Sequence, residues 1–106
     1  MSDELTLGRG TTPQYVISVD NGIDASTIQD AYITFAQARG ESLTKHFPEV
    51  YIDDGKIVVL LSQEETMLFK VGIVQMQVRF ITSDNKAYKS DIFRLKVTPI
   101  LYEEVI

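Results

Sequence analysis

An all-β fold is what this 106-residue sequence predicts, on three observations. Apolar and polar residues alternate at period two along several stretches. Clusters of Asp, Asn and Gly punctuate those stretches at short intervals. Only one segment carries a helix signature. About seven short strands and one crossover helix point to an immunoglobulin-like β-sandwich, with a small barrel as the alternative. The length suits one domain spanning 1–106, with a flexible lead-in at 1–10 and an apolar tail at 99–106.

In chain order, the first strand is expected at Gln14–Val19, where Tyr15, Ile17 and Val19 share a face. The next is Ala31–Gln37, with Ala31, Ile33 and Phe35 on one parity. Shorter extended pieces are expected around Leu43–Phe47 and Val50–Ile52. The unbroken apolar run in Lys56–Leu61 suggests a strand covered on both sides. Ser62-Gln63-Glu64-Glu65 is a capping box, so a short helix is expected over 63–69, ended by Gly72. Glu64 and Glu65 also sit well at the positive end of the helix dipole.

The last two long strands form a hairpin. Val74, Met76, Val78 and Phe80 alternate with Gln75, Gln77 and Arg79, and Phe93, Leu95 and Val97 alternate with Arg94 and Lys96. An even loop centred on Asp84-Asn85 places Met76 opposite Phe93 and Val74 opposite Leu95, whereas a three-residue loop splits the apolar face. Asp91 then falls on the wrong parity, so a bulge or an edge is expected near Ser90-Asp91. The other turns are expected at Asp20-Asn21-Gly22, Arg39-Gly40 and Asp53-Asp54-Gly55.

Composition narrows the function by exclusion. The chain has no Cys, which removes thiol catalysis, zinc–thiolate sites and disulfides. A net charge of −5 argues against nucleic acid as the main partner. No apolar run reaches the length of a signal peptide or a membrane span, so synthesis in the cytoplasm and no membrane partner are expected. The charge is uneven: residues 1–53 carry −5 and residues 54–106 carry none. Arg79, Lys86, Lys89, Arg94 and Lys96 concentrate base in the second half. They suit either a solvated sheet face or a basic face that docks on an acidic neighbour.

The remaining chemistry is thin. His46, the one histidine, stands beside Phe47 and Pro48 as a surface or strand-edge residue, and no Gly-x-Ser-x-Gly elbow accompanies it. Asp20-Asn21-Gly22-Ile23-Asp24 is rich in oxygen but lacks EF-hand spacing and the closing Glu. Adjacent Glu64 and Glu65 diverge by about 100° on a helix, so they form no acid–base dyad. Gly8-Arg9-Gly10-Thr11-Thr12 lacks the Gly-Lys-Ser/Thr ending of a phosphate loop and reads as the lead-in to the first strand. No enzyme, cofactor or metal site is expected. Tyr15, Tyr32, Tyr51, Tyr88 and Tyr102 offer stacking surfaces for a carbohydrate- or cell-surface-binding module, although the chain has no Trp.

The end of the sequence is more informative. Ile100, Leu101, Tyr102, Val105 and Ile106 follow the last strand, where polar, frayed residues are the rule. Such a tail packs on its own domain or on a neighbouring subunit, the second being a route to strand addition.

Several strings together resemble small prophage-encoded virion morphogenesis proteins of Gram-positive hosts. They are Leu61-Ser62-Gln63-Glu64-Glu65-Thr66 with Phe69, Val74 with Met76-Gln77-Val78-Arg79, and Ser90-Asp91-Ile92. Arg9-Gly10-Thr11-Thr12-Pro13 and Ile33-Thr34-Phe35-Ala36-Gln37 extend the likeness over nearly the whole chain. The resemblance implies a structural or assembly component of a tail, baseplate, fibre or head surface. Its implied partners are other virion proteins or further copies of itself. The residues expected to carry those contacts are Arg79, Lys86, Lys89, Arg94 and Lys96 on the basic strands, and Leu101, Tyr102, Val105 and Ile106 in the tail.

Overall fold

The computed structural model describes residues 5–19 and 22–106. Its strands are β1 (Leu5–Gly8), β2 (Gln14–Ser18), β3 (Ile28–Ala36), β4 (Ser42–Lys45), β5 (Val50–Asp53) and β6 (Lys56–Leu60). Then come helix α1 (Gln63–Met67) and strands β7 (Gly72–Thr82), β8 (Ala87–Lys89) and β9 (Phe93–Thr98). The result is an all-β sandwich of two sheets. One sheet runs β1-β9-β7-β3-β4 with β8 also on β7, and the other runs β2-β6-β5. Every pairing is antiparallel except β1 with β9, which is parallel.

The inward parities of the two sheets meet to form the core. Leu7, Ala31, Ile33, Phe35, Val74 and Leu95 from one sheet face Val50 and Val59 from the other, all without solvent exposure. The alternation of strand side chains brings these residues to one surface of each sheet. Phe69, just after α1, is equally buried in the same core. Truncation of such an aromatic to Ala typically costs about 3–5 kcal/mol, so Phe35 and Phe69 are major supports. Tyr15 lies 5.8 Å from Phe35 between ring centroids and donates its hydroxyl to the Thr6 carbonyl at 2.8 Å.

Local chemistry explains the helix and the tight turns. Ser62 Oγ accepts from the Glu65 amide at 3.1 Å, while Glu65 Oε1 accepts from the Ser62 amide at 2.8 Å. This reciprocal pair starts α1, which ends at Met67. Asp54 and Gly55 make the two-residue β5–β6 hairpin with φ of 50° and 73°, as a twisted ribbon requires. Asp24, at the end of the oxygen-rich stretch, accepts from the Ser26 amide and hydroxyl and caps a single 3-10 turn at Ala25–Thr27. Asp20 and Asn21 of that stretch, like residues 1–4, lie outside the described residues.

Several expectations need correction. Among the described residues the strand count is nine, because β1 and β8 add to those the alternation marks. The flexible lead-in at 1–10 contains β1, whose Leu7 is fully buried against the core. The β7–β8 loop has three residues, Ser83–Asn85, with Asn85 at φ 65°. That odd loop alone gives the pairing Arg79↔Lys89. An additional residue in Ser90–Ile92, facing only Gln77 and Val78, then restores Met76↔Phe93 and Val74↔Leu95. Ser90 carries the ladder through the irregularity: its amide donates to the Val78 carbonyl and its hydroxyl accepts from the Val78 amide. In β6, Ile57, Val58 and Val59 are all buried. Val58 lies on the outer face of the three-stranded sheet, flanked in register by Val16 and Tyr51.

Candidate interaction surfaces

The outer face of the larger sheet collects most of the predicted basic residues. The inward parity of β7 is Val74, Met76, Val78 and Phe80, so Ile73, Gln75, Gln77 and Arg79 face outward. Register then places Lys89 beside Arg79, Arg94 beside Gln75 and Lys96 beside Ile73 on that same surface. All four bases are exposed and, among the described residues, make no ion pair. Lys86 stands apart, just after the β7–β8 loop and 3.9 Å from Asp84. The Thr82 hydroxyl bonds to the Asp84 carboxylate and holds its pKa below the ordinary value, with Lys86 adding to the effect.

Beside the basic rows lies an arrangement the sequence did not announce. Tyr32 is the register partner of Arg79 and stacks on the His46 ring at 5.0 Å between centroids. His46 Nδ1 is 3.6 Å from Asp30 Oδ2, and Asp30 Oδ1 accepts from the Ala31 and Phe47 amides. Burial pushes the Asp30 carboxyl upward, but the Phe47 amide, Tyr32 hydroxyl, Ala31 amide and His46 together hold it below the ordinary value. The same carboxylate raises the Tyr32 phenol. A shallow hollow of about 360 Å3 adjoins Asp30, Tyr32 and Arg79.

The segment after β9 crosses to the α1 end of the sandwich. Ile100 packs over Gly10, where an added Cβ would stand 2.7 Å from its Cδ1. Beyond it the chain is held by polar contacts. Arg9 pairs with Glu103, and the Gln63 side chain exchanges two hydrogen bonds with the Ile106 backbone at 2.8 and 2.9 Å. The predicted contact residues Leu101, Tyr102, Val105 and Ile106 all project into solvent, Leu101 and Ile106 almost completely. The basic cluster and the tail are therefore two separate surfaces.

A third surface is the open seam between the sheets. Below the β2 edge, Ile17, Val19 and Ile23 face Phe80, Tyr88 and Phe93 across a cleft of about 460 Å3. It adjoins a second hollow of about 450 Å3 near Leu5, Val16 and Met76. No local pattern in the sequence marks it, because its lining comes from residues far apart in the chain.

No protein-family model, curated protein or solved structure matches this chain. The geometry therefore stands by itself. Among the described residues, no three His, Cys, Asp or Glu side chains converge as metal ligands, and no helix is long and apolar enough to cross a membrane. The tyrosines do not form one platform. Tyr15 is buried, with burial pushing its pKa up to about 12, and Tyr88 stacks on Phe80. Tyr32, Tyr51 and Tyr102 lie on the outer face of one sheet, the outer face of the other, and the tail.

Proposed function

We propose that this chain is a structural or assembly component of a phage virion, acting through contacts with its own copies or with other virion proteins. The observation that carries this reading is the exposed tail: Leu101 and Ile106 stand almost wholly in solvent, and Tyr102 and Val105 partly so, on a segment bonded to Arg9 and Gln63. A segment of that composition gains from burial in a partner, at about 25 cal/mol per Å2 of apolar surface covered. The unpaired basic face supports the same reading, since the chain as a whole is acidic and copies can meet with opposite charges in contact. The strand order supports an immunoglobulin-type sandwich, because β9-β7-β3 opposed to β2-β6-β5 matches the arrangement of that fold's two sheets. The resemblance to prophage morphogenesis proteins supplies the setting.

Size-exclusion chromatography with light scattering, at low and high salt, tests the proposal. The expected result is a trimer, hexamer or ladder that shifts toward monomer as salt rises. A monomer in both conditions that also retains no virion protein from an induced lysate overturns it. A second reading, a carbohydrate- or surface-binding module, is favoured by the Tyr32–His46 stack beside Asp30 and Arg79. A glycan array with Tyr32→Ala as control distinguishes it: binding lost in that variant selects the module.

A further inference from the structure

We propose that the segment Leu101–Ile106 of one copy adds as an extended strand to the unpaired edge of β2 in a second copy, over the apolar seam. The inference rests on the assembly reading and names its interface. β2 uses one edge to pair with β6, from Gln14↔Leu60 to Ser18↔Lys56, and among the described residues no strand occupies the other. An exposed row of unpaired backbone groups is a template for another strand. Here the row stands over an apolar floor, because Ile17, Val19, Phe80 and Phe93 pack on the core yet keep part of their surface in solvent.

The tail has the properties that such an edge selects. Extended, Tyr102 and Ile106 project to one side and Leu101 and Val105 to the other. Six residues in that form span about 20 Å, longer than the five-residue edge they would cover.

Geometry makes the donor a second molecule. β9 runs away from the cleft, from Phe93 on its wall to Thr98 at the opposite end of the sandwich. The tail leaves from that far end, and adding to another copy exchanges its bonds to Arg9 and Gln63 for strand-pairing bonds. Donor and acceptor are different surfaces, so the contact is head-to-tail and propagates into a ring or a filament.

The absence of Cys allows a direct test. Ser18→Cys places a thiol on the β2 edge, Val105→Cys places one in the tail, and Asp54→Cys in the β5–β6 turn is the control. Equimolar single-Cys variants are mixed under mild oxidation, and mixed disulfides are quantified by mass spectrometry. The Ser18–Val105 product is expected to exceed the Ser18–Asp54 product by about tenfold or more, because docking raises the effective concentration of the two thiols. Equal yields overturn the inference. Deleting residues 101–106 spares Ile100 on Gly10 and is expected to abolish self-association while thermal unfolding is retained. Salt-sensitive oligomers that persist in the deletion variant overturn the strand-addition inference and leave the assembly reading standing.

Discussion

Lys45 illustrates what a single side chain can do on an edge strand. It is 7 % exposed, and its ammonium donates to the Leu60 carbonyl and to Glu65 Oε1, both at 2.8 Å. Glu65 Oε1 also accepts the Ser62 amide, so one carboxylate both caps α1 and ties it to β4. Burial pushes the Glu65 pKa upward, but Lys45 and the Ser62 amide outweigh that and hold it below the ordinary value. A depressed folded pKa contributes stability above the unfolded value of about 4.3, lost as pH falls through the folded one. Glu65→Gln is therefore expected to cost about 1–3 kcal/mol at neutral pH, measured by urea unfolding. Its stability curve should converge with that of the parent protein in acid; parallel curves would contradict the role of the charge. The cap was legible beforehand, but its tie to Lys45 was not. Leu43, Lys45 and Phe47 share a parity, which hints that Lys45 points inward, but its partner lies twenty positions further on.

At the scale of elements, the turns decide which residues oppose one another. The β5–β6 hairpin needs positive φ at Asp54 and Gly55, and an added Cβ at Gly55 would meet nothing within 4 Å. Gly55→Ala is thus a test of backbone conformation alone. It is expected to cost about 1 kcal/mol in thermal unfolding, while Asn85→Gly, at a left-handed position, should be neutral or slightly stabilising. Loss of more than the backbone term at Gly55 would mean that the turn touches something else. The capping box and the Asp-Gly turn were readable because each depends on residues within four positions of one another. The β7–β9 pairing was read correctly by a route the structure does not take. An odd loop and an additional residue at Ser90–Ile92 cancel, and alternation reports only the sum of the two.

For the whole molecule, charge and apolar surface are segregated. Arg79, Lys89, Arg94 and Lys96 form one outward face, while the apolar tail and the open seam lie elsewhere. Reversing two of these charges, as Lys89→Glu with Arg94→Glu, is expected to weaken association and flatten its salt dependence, read by sedimentation at several ionic strengths. Both side chains are exposed, so thermal unfolding should change little. An unchanged salt slope would remove the basic face from the contact.

The sequence by itself determined the all-β class, the inward parity of the long strands, the start of the one helix and the segregation of charge. These depend on period-two patterning and on neighbours a few residues apart, which a linear reading resolves. Only the tertiary structure decided that Leu5–Gly8 joins the larger sheet in parallel with β9, which leaves the β2 edge unpaired among the described residues. It also decided that Lys45 finds Glu65, that His46 stacks on Tyr32, and that the tail projects its apolar side chains into solvent. Each of these joins residues far apart in the chain. Their meeting depends on which sheet each strand enters, and local pattern carries no record of that choice.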